Sequence, residues 1–142
     1  MKIRNIFIHM FGSKTEIKYL KFRKMLCKNK IGIHDFVREM KDMPLYYSTP
    51  LGTDRSGKEQ LYFLSAKNSE TKYYPAYLSK KGCIEHFNLL GRTNFIIIEG
   101  TLSALLSSLD DPMLSEFGVV IEPMSDTPID IPPNINRSSA QN

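Results

Sequence analysis

The sequence has few cysteines, no tryptophan and no long apolar run. Two cysteines, Cys27 and Cys83, in 142 residues are too few for the disulfide framework of a small secreted domain. Reduced thiols and a cytoplasmic location are therefore predicted. No apolar stretch approaches the roughly 18 residues that cross a bilayer, which argues against a membrane protein. The length fits one domain with a single sizeable core.

Common catalytic motifs are also missing: the chain has no phosphate-binding loop, dinucleotide fingerprint, HExxH helix or GxSxG elbow. The stretch KKGCIEHF, residues 80–87, does place Cys83 three positions before His86. This spacing suits a nucleophile beside its base or half of a zinc site. Zinc needs four ligands, however, and the remaining Cys and His residues lie at no finger-like spacing. We expect a buried structural thiol, with no metal and no cofactor.

Two glutamates form a second candidate for chemistry. Glu99 and Glu122 follow predicted strands, and their carboxylates would meet at one rim if those strands were parallel neighbours. The simpler interpretation is that each is a solvated strand end or a partner of a helix N-terminus. With the motifs absent, the chain is predicted not to be an enzyme.

The net charge of +4 is unevenly distributed. Residues 1–30 hold nine Lys or Arg against Glu16 alone, a net charge of +8, and residues 31–142 carry −4. A basic segment can bind phosphates. No recognition motif or aromatic stacking pattern accompanies it, so a solvated helix face is favoured and nucleic acid is an unlikely partner. The apolar side of that helix is predicted to comprise Ile17, Leu20, Met25 and Leu26.

Three further helices are predicted from apolar periodicity. Ser79 and Thr101 stand at N-cap positions, and Gly91 is a natural helix stop. The stripes consist of Ile33, Phe36, Val37 and Met40 in the first helix, Cys83, Ile84, Phe87 and Leu90 in the second, and Leu102, Leu105, Leu106 and Leu109 in the third.

The remaining apolar runs are typical of strands. The first two are expected to pair as a hairpin, Pro75 argues that the third is an edge strand or irregular, and the β-branched fourth suggests burial on both faces. The predicted fold class is α+β: one domain with a mixed, mostly antiparallel sheet and helices packed on it. The predicted strands are residues 45–49, 61–66, 73–78, 95–98 and 117–121.

The order of these elements resembles the N-terminal domain of the SseB family, named for enhanced serine sensitivity. The similarity lies in "MPLYYSTP", "LYFLSA", "GCIEHF", "NFIIIEG" and "FGVVIEP". One departure is Glu122, which stands where the family's usual ending has asparagine. The resemblance divides the chain into a basic N-terminal arm or helix at 1–30, an SseB-like α+β domain at 31–123 and a flexible Pro/Ser/Asn-rich tail at 124–142.

This resemblance implies a protein-binding role without catalytic residues. Small stand-alone relatives resemble immunity proteins encoded beside bacterial toxins, including those of contact-dependent growth inhibition. The expected function is therefore to bind and neutralise a cognate protein toxin, of which a nuclease domain is one example. The alternatives are a generic scaffold or regulatory binding domain and, less favoured, a nucleic-acid-binding protein.

Alternation along the strands suggests where the partner would bind. If Leu45 and Tyr47 pack inward, tyrosines on the opposite side form an exposed row that would anchor an interface. The alternative is that a helix covers this face and the tyrosines belong to the core edge. An acidic loop would steer a basic toxin. The candidate residues are Tyr46, Tyr62, Tyr73 and Tyr77 in the row and Asp110, Asp111 and Glu116 in the loop.

Overall fold

The computed structural model describes residues 14–48, 51–53, 59–61, 64–65, 71–92, 95–110 and 114–133. Two helices come first, then five strands, a helix, a strand, a helix and two strands. The helices are α1 (Lys14–Cys27), α2 (Ile33–Glu39), α3 (Lys80–Leu89) and α4 (Leu102–Ser108). The strands are β1 (Pro44–Ser48), β2 (Leu51–Thr53), β3 (Glu59–Leu61), β4 (Leu64–Ser65), β5 (Lys72–Ala76), β6 (Ile97–Thr101), β7 (Phe117–Ile121) and β8 (Ile129–Ile131).

The strands pair in three sheets. β1 and β6 are antiparallel, β2 and β3 form a separate antiparallel pair, and a four-stranded sheet has the order β4-β5-β7-β8. Only the β5–β7 pairing is parallel. A single antiparallel bridge between Tyr46 and Tyr77 joins the β1–β6 pair to the four-stranded sheet. The protein is thus a small single α+β domain with mixed, mainly antiparallel pairing, and the predicted fold class is confirmed.

The main core lies where α1, α2 and α4 cover one face of the sheets. Strand alternation sends Leu45 and Tyr47 of β1 into this core, as predicted. The predicted stripes of α2 and α4 are also buried, except that Ile33 is half-buried. Both helix caps predicted after the strands form, because Ser79 accepts from the Gly82 amide and Thr101 from the Ala104 amide. The buried side chains of the core include Phe36, Val37, Met40, Ala76, Leu102, Leu105, Leu106, Val119 and Ile121.

The predicted hairpin of residues 45–49 with 61–66 is wrong. β1 pairs with β6, which follows it by about fifty residues, while β2 and β3 form the local pair. The β6 strand is also not buried on both faces, since its side chains are half-buried or exposed. β6 has β1 as its partner and lies at the edge of a two-stranded sheet, with Ile98 packed on the main core and Ile97 on the second cluster.

Pro75 is not on an edge strand, because β5 lies between β4 and β7. β4 pairs only with Lys72 and Tyr73, so the proline is opposite no residue of β4. Ala76 accepts a hydrogen bond from the Glu122 amide on the β7 side, which places the Pro75 nitrogen on the other side of the strand. The missing N–H therefore costs the β5–β7 pairing nothing.

The two outer segments contribute to the core. Tyr19 of α1 is only 1% exposed and its ring contacts Phe36 edge-on. The predicted apolar side of this helix is wrong for Ile17 and Leu20, which are exposed. At the other end, the predicted flexible tail contains β8, whose Ile129 and Ile131 are buried against β7. Thus neither the basic segment nor the tail is wholly an appendage.

The position of Tyr19 yields a stability prediction. Deleting residues 1–12 leaves α1 intact and is expected to preserve a cooperative thermal transition. Tyr19→Ala empties a core position, so the free energy of unfolding should fall by about 3 kcal/mol. Leu20→Ala, at an exposed neighbouring position, is the control and should change it by less than about 1 kcal/mol. Denaturant titration measures both. Equal losses in the two variants would contradict the assignment of Tyr19 to the core.

Candidate functional site

Helix α3 covers the opposite face of the sheets from the main core. Its inward side chains recur at helical spacing, with Cys83, His86 and Phe87 all buried. Together with Tyr77, Cys83 and Phe87 form a small second cluster, against which Tyr46, Phe95 and Ile97 pack. The predicted apolar face of this helix is wrong at Ile84 and Leu90, which are exposed. The helix ends at Leu89, and Gly91 follows with a left-handed φ of 73°.

A buried hydrogen bond links the helix to the sheet. The Tyr77 hydroxyl lies 2.5 Å from Nδ1 of His86, and the two rings meet edge-on. Burial raises the pKa of Tyr77 and lowers the pKa of His86, so both groups are held neutral. Two neutral arrangements satisfy this contact: the hydroxyl donates to Nδ1 when the imidazole proton is on Nε2, and Nδ1–H donates to the hydroxyl oxygen in the other tautomer. In both, His86 is engaged in a structural hydrogen bond.

The Cys83 thiol is poorly suited to nucleophilic chemistry. It is fully buried, and this burial raises its pKa to about 11 although the charge of Arg92 opposes the shift. The thiolate is the reactive and metal-binding form, and it is suppressed here. Within the described ranges, no group of three or more His, Cys, Asp or Glu residues could hold a metal ion. The geometry agrees with a packing role for Cys83.

Arg92 was not singled out in the sequence. It is buried, and its guanidinium carbon lies 4.5 Å from the centroid of the Phe87 ring and 5.8 Å from that of Phe95. The two rings themselves meet edge-on, with centroids 4.9 Å apart. These contacts join Phe87 of α3 to Arg92 and to Phe95, which precedes β6. The available signal was a single arginine between two aromatic residues, directly after a glycine stop.

Large apolar side chains are exposed around this connection. Leu89, Leu90 and Ile96 are 72%, 46% and 67% exposed, and they flank the Arg92 stack on both sides in sequence. We call these three residues the α3–β6 surface. Leu89 and Leu90 are consecutive and Ile96 follows six residues later. Large exposed apolar side chains near one another in the chain suggest an interaction site. Sequence reasoning missed this surface because it assigned Leu90 to the buried stripe and Ile96 to a buried strand.

The predicted tyrosine row does not form as expected. Tyr46 is half-buried and its hydroxyl lies 3.4 Å from Oε1 of Glu99. The half-buried Tyr73 ring occupies the place that a Cβ on Gly118 would take. The prediction that Tyr77 is exposed is wrong, because α3 covers it and leaves only 1% accessible. Tyr62 lies outside the described residues.

The three acidic candidates were predicted to lie in one loop. Asp110 and Glu116 are exposed on either side of residues 111–113, and Asp111 lies outside the described residues. Glu99 and Glu122 do not form a pair at one rim of a sheet, because their strands belong to different sheets. Instead, Glu122 adopts a left-handed φ of 54° and accepts a hydrogen bond from the Leu78 amide at 2.6 Å. Its carboxylate closes the end of the parallel β5–β7 pair.

Comparisons with known proteins returned no match, whether against protein-family models, curated proteins or solved structures. Within the part of the chain that the structure describes, every helix is too short or too polar to cross a membrane.

The depressed pKa of His86 predicts a pH dependence of stability. The unfolded chain binds a proton near pH 6.5 more readily than the folded one, so stability is full above that pH. The free energy of unfolding is expected to decrease as the pH falls below 6.5 towards the pKa of His86 in the folded protein. The His86→Gln side chain can still form a hydrogen bond but does not titrate. The slope of the unfolding free energy against pH should therefore decrease by up to the equivalent of about one proton. Urea titrations between pH 7.5 and 5 measure it.

The exposed His34→Gln variant is the control for this experiment and should keep the wild-type pH dependence. An unchanged pH slope in His86→Gln would show that another group is responsible.

The two thiols should differ in reactivity. Cys27 is exposed and Cys83 buried, so a thiol reagent should modify Cys27 quickly in the native protein and Cys83 only in denaturant. Cys27→Ser isolates the second reaction. Elemental analysis should show no stoichiometric zinc. Native modification of Cys83 at the rate of Cys27, or a metal lost in Cys83→Ala, would contradict the packing role.

Proposed function

We propose that this chain is a non-catalytic protein-binding module, specifically an immunity protein that binds and neutralises a cognate bacterial toxin, as in contact-dependent growth inhibition. The observation that carries the proposal is the α3–β6 surface, where three large apolar side chains are exposed beside a rigid stack. The resemblance to SseB-like immunity proteins supports the more specific part. The toxin is a protein, and a nuclease domain is one example.

The ring contacts next to the α3–β6 surface in sequence favour binding. Arg92 and the Phe95 ring both contact Phe87 of α3, so the residues on either side of the connection are held together before a partner binds. Interface energy concentrates in a few apolar or aromatic side chains. Leu89 and Ile96 have the exposure that such anchors need.

The environment of the Cys83–His86 pair also favours binding over catalysis by this pair. Its thiol is buried and its imidazole is occupied by Tyr77. Blocking a toxin requires shape and charge at a surface, and it needs no reactive group in the inhibitor. An immunity protein would meet a toxin that acts inside the cell in the cytoplasm. Free thiols such as those of Cys27 and Cys83 are kept reduced there.

Two alternatives remain as proposals. A generic SseB-like scaffold or regulatory domain would use the same surface for a cellular partner, and a nucleic-acid binder would use the basic helix α1. Gene order separates the first alternative from the immunity proposal, because an immunity gene lies directly downstream of its toxin gene. The exposed apolar residues favour a protein partner over a nucleic acid.

Coexpression with the product of the reading frame directly upstream tests the proposal. The two proteins should copurify, and the chain should abolish the toxicity of that product. Leu89→Asp and Ile96→Asp should each weaken the complex by about 2 kcal/mol in calorimetric titrations, because they place a charge where apolar contact is needed.

Ala104→Asp serves as the matched control, since it adds the same charge at an exposed position in the first turn of α4. It should leave affinity and melting temperature unchanged. Failure of the upstream product to bind would overturn the immunity proposal. Undiminished binding by both surface variants would place the interface elsewhere.

A further inference from the structure

A groove lies between the first turns of α1 and Leu78. Leu78 follows Tyr77, the residue that forms the bridge to Tyr46. The groove is lined by Glu16, Tyr19, Leu20 and Leu78, and has a volume of about 140 Å³. Leu78 is held there by the hydrogen bond from its amide to Glu122. Three of the four lining residues contribute apolar surface. The groove is therefore suited to an apolar side chain of a partner.

The same helix, together with Lys28 directly after it, carries a ridge of positive charge. Five exposed lysines follow one another at intervals of four, three, three and four residues, which is the spacing of one helix face. The exposed Ile17 and Leu20, at 49% and 40%, lie beside this ridge. Glu16 is the single acidic residue of the helix. We call the following residues the lysine ridge: Lys14, Lys18, Lys21, Lys24 and Lys28.

We infer that the groove and the lysine ridge together bind an acidic segment of the partner protein, which inserts an apolar side chain beside Leu20 and Leu78. This inference rests on the proposed function and adds the chemistry of the partner. Carboxylates along the segment would meet the lysines. Charge complementarity of this kind speeds association and fixes orientation.

Nucleic acid fits these features less well. Binding to single strands uses exposed aromatic rings as stacking platforms. Here Tyr19 is buried, and the ring of Phe22 is approached by the ammonium groups of Lys18 and Lys21 at 5.8 and 5.7 Å from its centroid. A phosphate backbone also offers no apolar surface to contact the exposed side chains of Ile17 and Leu20. A protein segment uses both the charge and the apolar groove.

Calorimetric titration of the upstream gene product into two variants tests the inference. Lys14→Glu/Lys21→Glu/Lys24→Glu should weaken binding about 100-fold and reduce its salt dependence between 50 and 300 mM. Leu20→Asp should weaken it about tenfold or more.

The control is Lys72→Glu/Lys80→Glu/Lys81→Glu, which makes the same charge change at exposed positions outside α1 and should alter affinity less than threefold. If the complex forms and the α1 variants bind like the wild type, the inference is overturned and the proposed function stands. If no complex forms, both are overturned. Binding of a 20-mer DNA or RNA duplex that the lysine variant abolishes and Leu20→Asp does not affect would assign the ridge to nucleic acid instead.

Discussion

Two reciprocal hydrogen bonds between Tyr46 and Tyr77 are the constraint on which the rest of the structure depends. The Tyr46 amide donates to the Tyr77 carbonyl at 2.7 Å, and the Tyr77 amide donates to the Tyr46 carbonyl at 2.8 Å. They join a two-stranded and a four-stranded sheet that otherwise have separate ladders. Because opposed residues of an antiparallel bridge point to the same face, both tyrosine side chains lie under α3. One face of the joined sheets thereby receives α1, α2 and α4, and the other receives α3.

This arrangement separates the potentially reactive side chains from the surfaces available to a partner. The side chains of Cys83, His86 and Tyr77 are buried where α3 packs on the sheets. Arg92 contacts Phe87 after the end of α3, and the side chains of Leu89, Leu90 and Ile96 are exposed nearby in the sequence. On the other side, Tyr19 anchors α1 in the core and leaves its lysines in solvent. Two surfaces of different character result, one apolar and one basic with an apolar groove, and both suit a protein partner.

Local signals predicted much of the secondary structure. The caps Ser79 and Thr101 and the stripe of α2 depend on neighbouring residues alone, and they are observed as expected. The pairing of β1 with β6 depends on contacts between distant segments, which periodicity does not encode, so the nearest strand was chosen wrongly. The burial of Tyr77 could not be predicted without knowing that α3 packs back on the segment that precedes it. The three residues of β8 were too few for a periodic signal. The exposed surfaces emerged only with the tertiary structure, because exposure at Leu20, Leu90 and Ile96 contradicts their hydropathy.

The most direct test of the account is amide hydrogen exchange on the chain alone and in complex with the product of the upstream gene. The account predicts that binding slows exchange in two stretches, the α1 helix and the residues from the end of α3 to the start of β6. Exchange in the core of β5 and β7 should stay unchanged, since these amides are already protected. Slowed exchange confined to the loop between Asp110 and Glu116, or no difference between the two samples, would contradict the account.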